Sequence, residues 1–203
     1  VFPTDPVIGT RFDMDPTDHK EVLQLILRRS WPQQAISHVR GAQGTGHGRG
    51  TCLGATYEMG VARLGKHTRQ MSDIVVRLNL LIHKHFRNFN WTSIQVNVNT
   101  VSEKHRDSNN NGPSVMFVLG RFTGGNFGTT AGPHYDIAGG QAVVFDGTQL
   151  HWSQPFSGGD RVSIVFFAHN AVDMLNDSDR DRLHRAGFSW GTNGDALRRQ
   201  AAE

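Results

Sequence analysis

A chain of 203 residues, 37% hydrophobic and 19% charged, is long enough to bury a sizeable core and too apolar to be disordered. Its one cysteine, Cys52, excludes an internal disulfide and any multi-thiolate zinc site, and no apolar run is long enough to span a membrane. The net charge of +3 is uneven: between Arg28 and Arg87, ten Lys/Arg stand against Glu58 and Asp73, a local balance of +8 that leaves −5 elsewhere. Such a stretch would attract a polyanion such as nucleic acid; a solvated basic surface explains it equally well.

Residue 1 is Val and no basic-then-apolar leader follows, so an excised or processed domain is expected. Pro3, Pro6 and Pro16 make the first segment irregular. Thr17 or Asp18 is placed to cap a helix running to about Ser30, with Val22, Leu23, Ile26 and Leu27 as its apolar stripe. The glycine-rich segment 41–60 reads as a long loop or irregular hairpin, a substrate-facing arm carrying Arg40 and Arg49. Ser72 then caps the clearest helix, in which Ile74, Val75, Leu78, Leu81, Ile82 and His85 recur at helical spacing.

The period changes in the second half. Over Ser93–Val101, Ile94, Val96 and Val98 alternate with Gln95, Asn97 and Asn99, a strand with one apolar and one polar face. Val115–Leu119, Gln141–Phe145 and Arg161–Phe167 are further strands, bounded by Gly-Gly pairs. A last helix starts at Ser178, with Asp181 completing a capping box, and ends before Gly187. The expected organisation is one α+β domain: helical and loop support with a basic substrate-facing surface over 1–90, a catalytic β core over 91–170 and a C-terminal helical segment over 171–203.

Within this frame, His105-Arg106-Asp107 is followed by His151 and then by Arg161-Val162-Ser163. On an extended segment, residues i and i+2 point the same way, so His105 and Asp107 can act together with His151 as three ligands on one face of an octahedral Fe(II). The positions left open suit a cosubstrate and O2. Arg161 stands in a strand of otherwise apolar residues and therefore needs an anionic partner. With Ser163 on the same face, the pair suits a distal carboxylate such as that of 2-oxoglutarate. Asn97 and Asn99 are candidates for holding the same cosubstrate. A polar strand face bearing metal ligands predicts a double-stranded β-helix of the jelly-roll or cupin-like kind, with helices on one outer face. Trp152 reads as a core aromatic or a shield of the site.

The segments His105-Arg-Asp-Ser-Asn-Asn-Asn-Gly-Pro-Ser114 and Arg161-Val-Ser-Ile-Val-Phe-Phe-Ala-His169 resemble the catalytic core of the TET/JBP dioxygenases, over roughly residues 93–170. Prolyl hydroxylases and AlkB-like enzymes share only the ligand spacing. The resemblance implies contact with a flipped base by Asn110, three residues after Asp107, and by His169, eight after Arg161. It also implies Fe(II) and 2-oxoglutarate as cofactors, 5-methylcytosine in DNA as substrate, and an intracellular, nuclear location. Having one cysteine, the chain is similar to compact protist and fungal members rather than to animal proteins with a cysteine-rich region. Residues 123–140 match nothing in the family, and His134 has no assigned role. The same chemistry on thymine, RNA or a protein side chain is the nearest alternative. A non-catalytic nucleic-acid-binding module and a structural zinc protein are the others.

Overall fold

The computed structural model describes residues 2–191 except 35, 131 and 133. Strand β1 (Arg11–Asp13) leads into helix α1 (Pro16–Leu27). Asp15 caps that helix by accepting from the N–H groups of Thr17 and Asp18, two to three residues earlier than expected. The reason is Pro16: it has no N–H and suits the first helical position, so the cap falls on the residue before it. The helix ends at Leu27, short of Ser30.

Three strands follow, β2 (Val39–Gly41), β3 (Arg49–Glu58) and β4 (Val61–Leu64). Within segment 41–60, residues 49–58 are strand and Met59-Gly60 turn it into β4, so the hairpin half of the expectation holds and the loop is confined to 42–48 and this turn. Gly50 and Gly54 conceal the strand. Their φ angles are +149° and +93°, and an added Cβ would meet the carbonyl oxygens of Val96 and Thr92 at 2.0 and 2.4 Å. The strand bends closely against its neighbour at both points, which breaks the alternation that sequence reading relies on. Residues 1–90 are mainly helix and loop, as expected, but they also contribute β1, β3 and β4 to the long sheet, so the β core extends beyond 91–170. Helix α2 (Ser72–His85) includes Ser72 as its first residue; Met71 holds the cap position and makes no side-chain cap bond.

The remaining strands are β5 (Ser93–Val98), β6 (Thr100–Ser102), β7 (Ser114–Gly120), β8 (Thr123–Gly124), β9 (Phe127–Thr129), β10 (Gln141–Phe145), β11 (His151–Ser153), β12 (Phe156–Ser157) and β13 (Arg161–Phe167). A 3-10 turn over Asn170–Met174 precedes helix α3 (Asp177–Arg185). Asn176 caps α3 through the N–H of Asp179, so the capping partner is Asp179 and not Asp181. The rest of the 171–203 segment, residues 192–203, lies outside the described residues.

Seven strands form one antiparallel sheet in the order β1-β10-β7-β13-β5-β3-β4. The shorter pairs β2–β6, β9–β11 and β8–β12 form the second layer, joined across a bridge between His105 and His151. Alternation divides the long sheet cleanly. Val162, Ile164 and Phe166 of β13, with Val115, Phe117 and Leu119 of β7, face a core completed by Ile26 of α1 and by Ile74 and Leu78 of α2. The opposite face carries Met116, Val118, Val143 and Phe145, which pack on Phe127, Tyr135 and Ile137 of the second layer. Both faces are covered, so β7 is buried along its whole length and reads as a continuous apolar run. This is the double-stranded β-helix expected from the sequence, with helices on one outer face.

The basic stretch is less available than its composition suggests. Arg77 and Lys84 of α2 both pair with Asp18 at 2.7 Å, locking α2 to α1. Arg29 pairs with Asp73, Arg40 with Glu103 and Arg87 with Asp5. Acids from outside the stretch neutralise much of it, and the α1–α2 cations lie behind the sheet, away from the polar cavity. Among the described residues no helix is long and apolar enough to cross a membrane.

Candidate active site and metal centre

Between the two layers lies a cavity of about 430 Å³. At one end, His105 and His151 oppose each other, each N–H donating to the other's carbonyl at 3.0 Å. The N–H of Asp107 donates to the carbonyl of Gly147 at 2.8 Å, which turns its carboxylate toward the two imidazoles. Asp107 Oδ2 lies 3.3 Å from His151 Nε2, and Oδ1 lies 3.9 Å from His105 Nε2. One ligand atom from each residue falls within 4.8 Å of the other two.

The tautomers suit a metal. His105 Nδ1 is 2.7 Å from the carbonyl of Glu103 and His151 Nδ1 is 2.8 Å from that of Gln149. A carbonyl accepts only, so both Nδ1 atoms carry the proton and both Nε2 atoms offer lone pairs. Burial lowers the His105 pKa, which favours the neutral ligand form. For Asp107, burial acts upward, but the closeness of the His151, His105 and His38 rings outweighs it and holds the carboxyl below its ordinary value.

Deep in the cavity, Arg161 is 2% exposed and has no carboxylate partner among the described residues. Its Nη2 donates to the Gly125 carbonyl at 3.0 Å, its Nε is buried without a partner, and Phe122 lies under the guanidinium. Burial pushes its pKa down to about 10, so it stays cationic at neutral pH. Ser163 and Asn97 line the same wall, directly paired across β13 and β5, and Asn97 Nδ2 donates to Ser163 Oγ at 3.1 Å.

Asn99 does not join them. It adopts φ +56°, ending β5 and breaking the alternation that would have placed it beside Asn97. Its Nδ2 donates to Asp160 at 2.9 Å and its Oδ1 accepts from the Arg161 N–H at 2.9 Å. Both amide groups are spent on the turn, so the expected contact with a cosubstrate is corrected to a structural one. The left-handed conformation, which Asn tolerates, is the physical reason.

Asn110 and His169 form a bridge at the cavity wall near the metal ligands, and both line it. His169 Nδ1 accepts from the Ala171 N–H at 3.0 Å, which leaves Nε2 as an N–H donor. Tyr57 of β3 stacks on His169, with ring centroids 5.2 Å apart. Trp152 lines the cavity with Lys104 above its ring and His134 against its edge, which gives His134 a packing role. Gly128 makes room for the indole: an added Cβ would sit 2.3 Å from it. Segment 123–140 supplies β8, β9 and the aromatic wall of Phe127 and Tyr135. Sequence reading missed Tyr57, Gln34 and His38, whose ring stacks on His105 at 3.7 Å. No spacing rule connects these residues to the ligands.

No protein-family model matches the chain, and no curated protein matches it. Among solved structures, an oxidoreductase of the 2OG-Fe(II) oxygenase family from Burkholderia pseudomallei superposes with a TM-score of 0.50 at 18% identity, covering 77% of this chain and 82% of that one. The fold is that of a 2OG-Fe(II) oxygenase. NgTET1 in complex with 5mC DNA superposes with a TM-score of 0.58 at 15% identity, over 86% of this chain and 79% of NgTET1. Fe(II) and 2-oxoglutarate, the two groups for which this fold family is named, fit the residues present. Two imidazole nitrogens and a carboxylate offer a facial triad, and a buried cation without a counter-anion among the described residues offers an anchor.

Proposed function

We propose that this chain is an Fe(II)/2-oxoglutarate dioxygenase that oxidises the methyl group of 5-methylcytosine in DNA. The observation that carries the reaction class is Arg161, a buried cation with an unpartnered Nε in the cavity that also holds His105, Asp107 and His151. A buried guanidinium left without an anion is strongly unfavourable, so a carboxylate ligand is its natural partner. In this reading His105, Asp107 and His151 hold the metal, and Arg161 with Ser163 binds the distal carboxylate of the cosubstrate. When bound together, Fe(II) and 2-oxoglutarate supply oxidation of an unactivated methyl group by O2.

The substrate assignment rests on Asn110 and His169. Asn110 can donate to and accept from a base edge, while His169 presents an Nε2–H donor held by its bond to Ala171. Tyr57 supports the His169 ring from the side. A base reaching this cavity leaves its duplex stack, which costs roughly a few kcal/mol. Arg63, Lys66 and Arg69, which have no ion-pair partner among the described residues, remain available to phosphates. An intracellular, nuclear setting accompanies this proposal.

The test is incubation with Fe(II), 2-oxoglutarate and matched oligonucleotides bearing 5-methylcytosine, thymine or neither, followed by nucleoside mass spectrometry. Hydroxymethylcytosine from the first oligonucleotide alone is expected. Oxidised thymine, or oxidation confined to peptide, would move the substrate elsewhere; no succinate with any substrate would point to a binding module. Asn110→Ala and His169→Ala should each lower kcat/KM for the oligonucleotide about 10- to 100-fold, the effect of losing one directed hydrogen bond. Substrate-independent succinate formation should persist in both.

A further inference from the structure

Behind the cosubstrate wall lies a chain of amides whose order fixes what Ser163 presents to the cavity. Asn97 Oδ1 accepts from Gln34 Nε2 at 3.0 Å and from Gln95 Nε2 at 3.2 Å. Asn97 Nδ2 is thereby turned to Ser163 Oγ, to which it donates at 3.1 Å. Gln95 Nε2 also donates to the Val96 carbonyl and to Gln34 Oε1, both at 3.4 Å. A carbonyl only accepts, so this contact sets the donor end of Gln95, and with it the polarity of the chain. Ser163 Oγ has no other hydrogen-bond partner among the described residues. It already accepts from Asn97, so its single proton is directed into the cavity, on the same strand face as Arg161.

Gln34 is built into this position. It is 4% exposed, and its N–H donates to the Gly48 carbonyl at 2.9 Å. A Cβ on Gly50 would lie 2.3 Å from Gln34 Nε2, so a glycine at the start of β3 admits the amide. We infer that Gln34 is a positioning residue that, through Asn97, makes Ser163 a hydrogen-bond donor to the cosubstrate carboxylate. With the opposite polarity, Ser163 would give its proton to Asn97 and face the carboxylate with lone pairs. This inference rests on the anchoring role proposed above for Arg161 and Ser163.

The test is calorimetric binding of 2-oxoglutarate to the Mn(II)-loaded full chain. Gln34→Glu keeps the shape but accepts only, which draws Asn97 Nδ2 away from Ser163. The Kd should rise about tenfold, close to the effect of Ser163→Ala, because one hydrogen bond to a charged group is lost in each. The double variant Gln34→Glu/Ser163→Ala should bind no more weakly than Ser163→Ala alone, since the two act through one hydroxyl. In steady-state assays of Gln34→Glu, KM for 2-oxoglutarate should rise while kcat changes little. Gln34→Met, which removes the lock without adding charge, should show a smaller loss and carries the test if the glutamate variant fails to fold. Wild-type affinity in both Gln34 variants, or losses that multiply in the double variant, would overturn the inference. Wild-type affinity in Ser163→Ala and Arg161→Ala would overturn the anchoring role itself, and the inference with it.

Discussion

His105 and His151 sit directly opposite each other as a hydrogen-bonded antiparallel pair, with ring centroids 4.2 Å apart. Two candidate ligands far apart in sequence are thus held together by backbone bonds, independently of their side chains. Asp107 is carried on the same extended segment as His105, so one bridge aligns all three donors.

Metal removal follows from this. His105→Ala or Asp107→Ala should abolish turnover and metal uptake without unfolding the protein, because the bridge uses backbone atoms. At a metal concentration a hundredfold above Kd, binding should stabilise the wild type by about 2.7 kcal/mol. For a chain of this size that raises Tm by about 5–10 °C. Chelation should reverse the shift, and neither variant should show it; a variant that still gains stability from Fe(II) or Mn(II) would place the ligands elsewhere.

Arg161 sets stability against function. Its guanidinium has no counter-anion among the described residues, so Arg161→Met should stabilise the ligand-free protein by about 1–3 kcal/mol while abolishing 2-oxoglutarate binding. Arg161→Lys should retain weak binding, since it keeps the charge and loses the fork. Denaturant unfolding and calorimetry check both. A destabilised methionine variant would mean that Arg161 has a structural anion.

Asn99 separates turn from site. Asn99→Ala replaces a residue that tolerates the left-handed region with one that does so poorly, and removes the bonds to Asp160 and to the Arg161 backbone. The expected loss is about 1–3 kcal/mol of stability. KM for 2-oxoglutarate should stay within about twofold, against a large rise for Arg161→Ala.

Acid should destabilise the fold through histidines remote from the metal centre. Burial lowers the pKa of His85, packed against Phe12 and Phe117, and Lys84 adds to the effect. Burial likewise lowers that of His19, aided by Arg121, and His19 Nε2 accepts the Gly120 N–H at 3.0 Å. Both groups are neutral when folded and take up a proton more readily when unfolded. Their contribution is complete above the unfolded value of about 6.5 and is lost as pH falls through the lowered folded values. Tm measured from pH 8 to pH 5 should fall below about pH 6.5, and His85→Leu should flatten the slope. A Tm that rises on acidification would contradict this.

How far the sequence could be read depends on the range of the interactions involved. Strand alternation is local, so the i, i+2 relation of His105 and Asp107, the shared face of Arg161 and Ser163, and the apolar faces of β5 and β13 were all legible. Those local patterns determined the double-stranded β-helix and brought out the candidate metal triad. Asn99 was misplaced because one left-handed residue ends the alternation, and β3 was obscured because Gly50 and Gly54 bend it against β5. Only the tertiary structure decided that Gln34 meets Asn97, that His38 lies on His105 and that Tyr57 supports His169. It also decided that Asp18 pairs with both Arg77 and Lys84. Each is a pairing between distant segments, set by how the layers close on each other, and no periodicity within one segment encodes it.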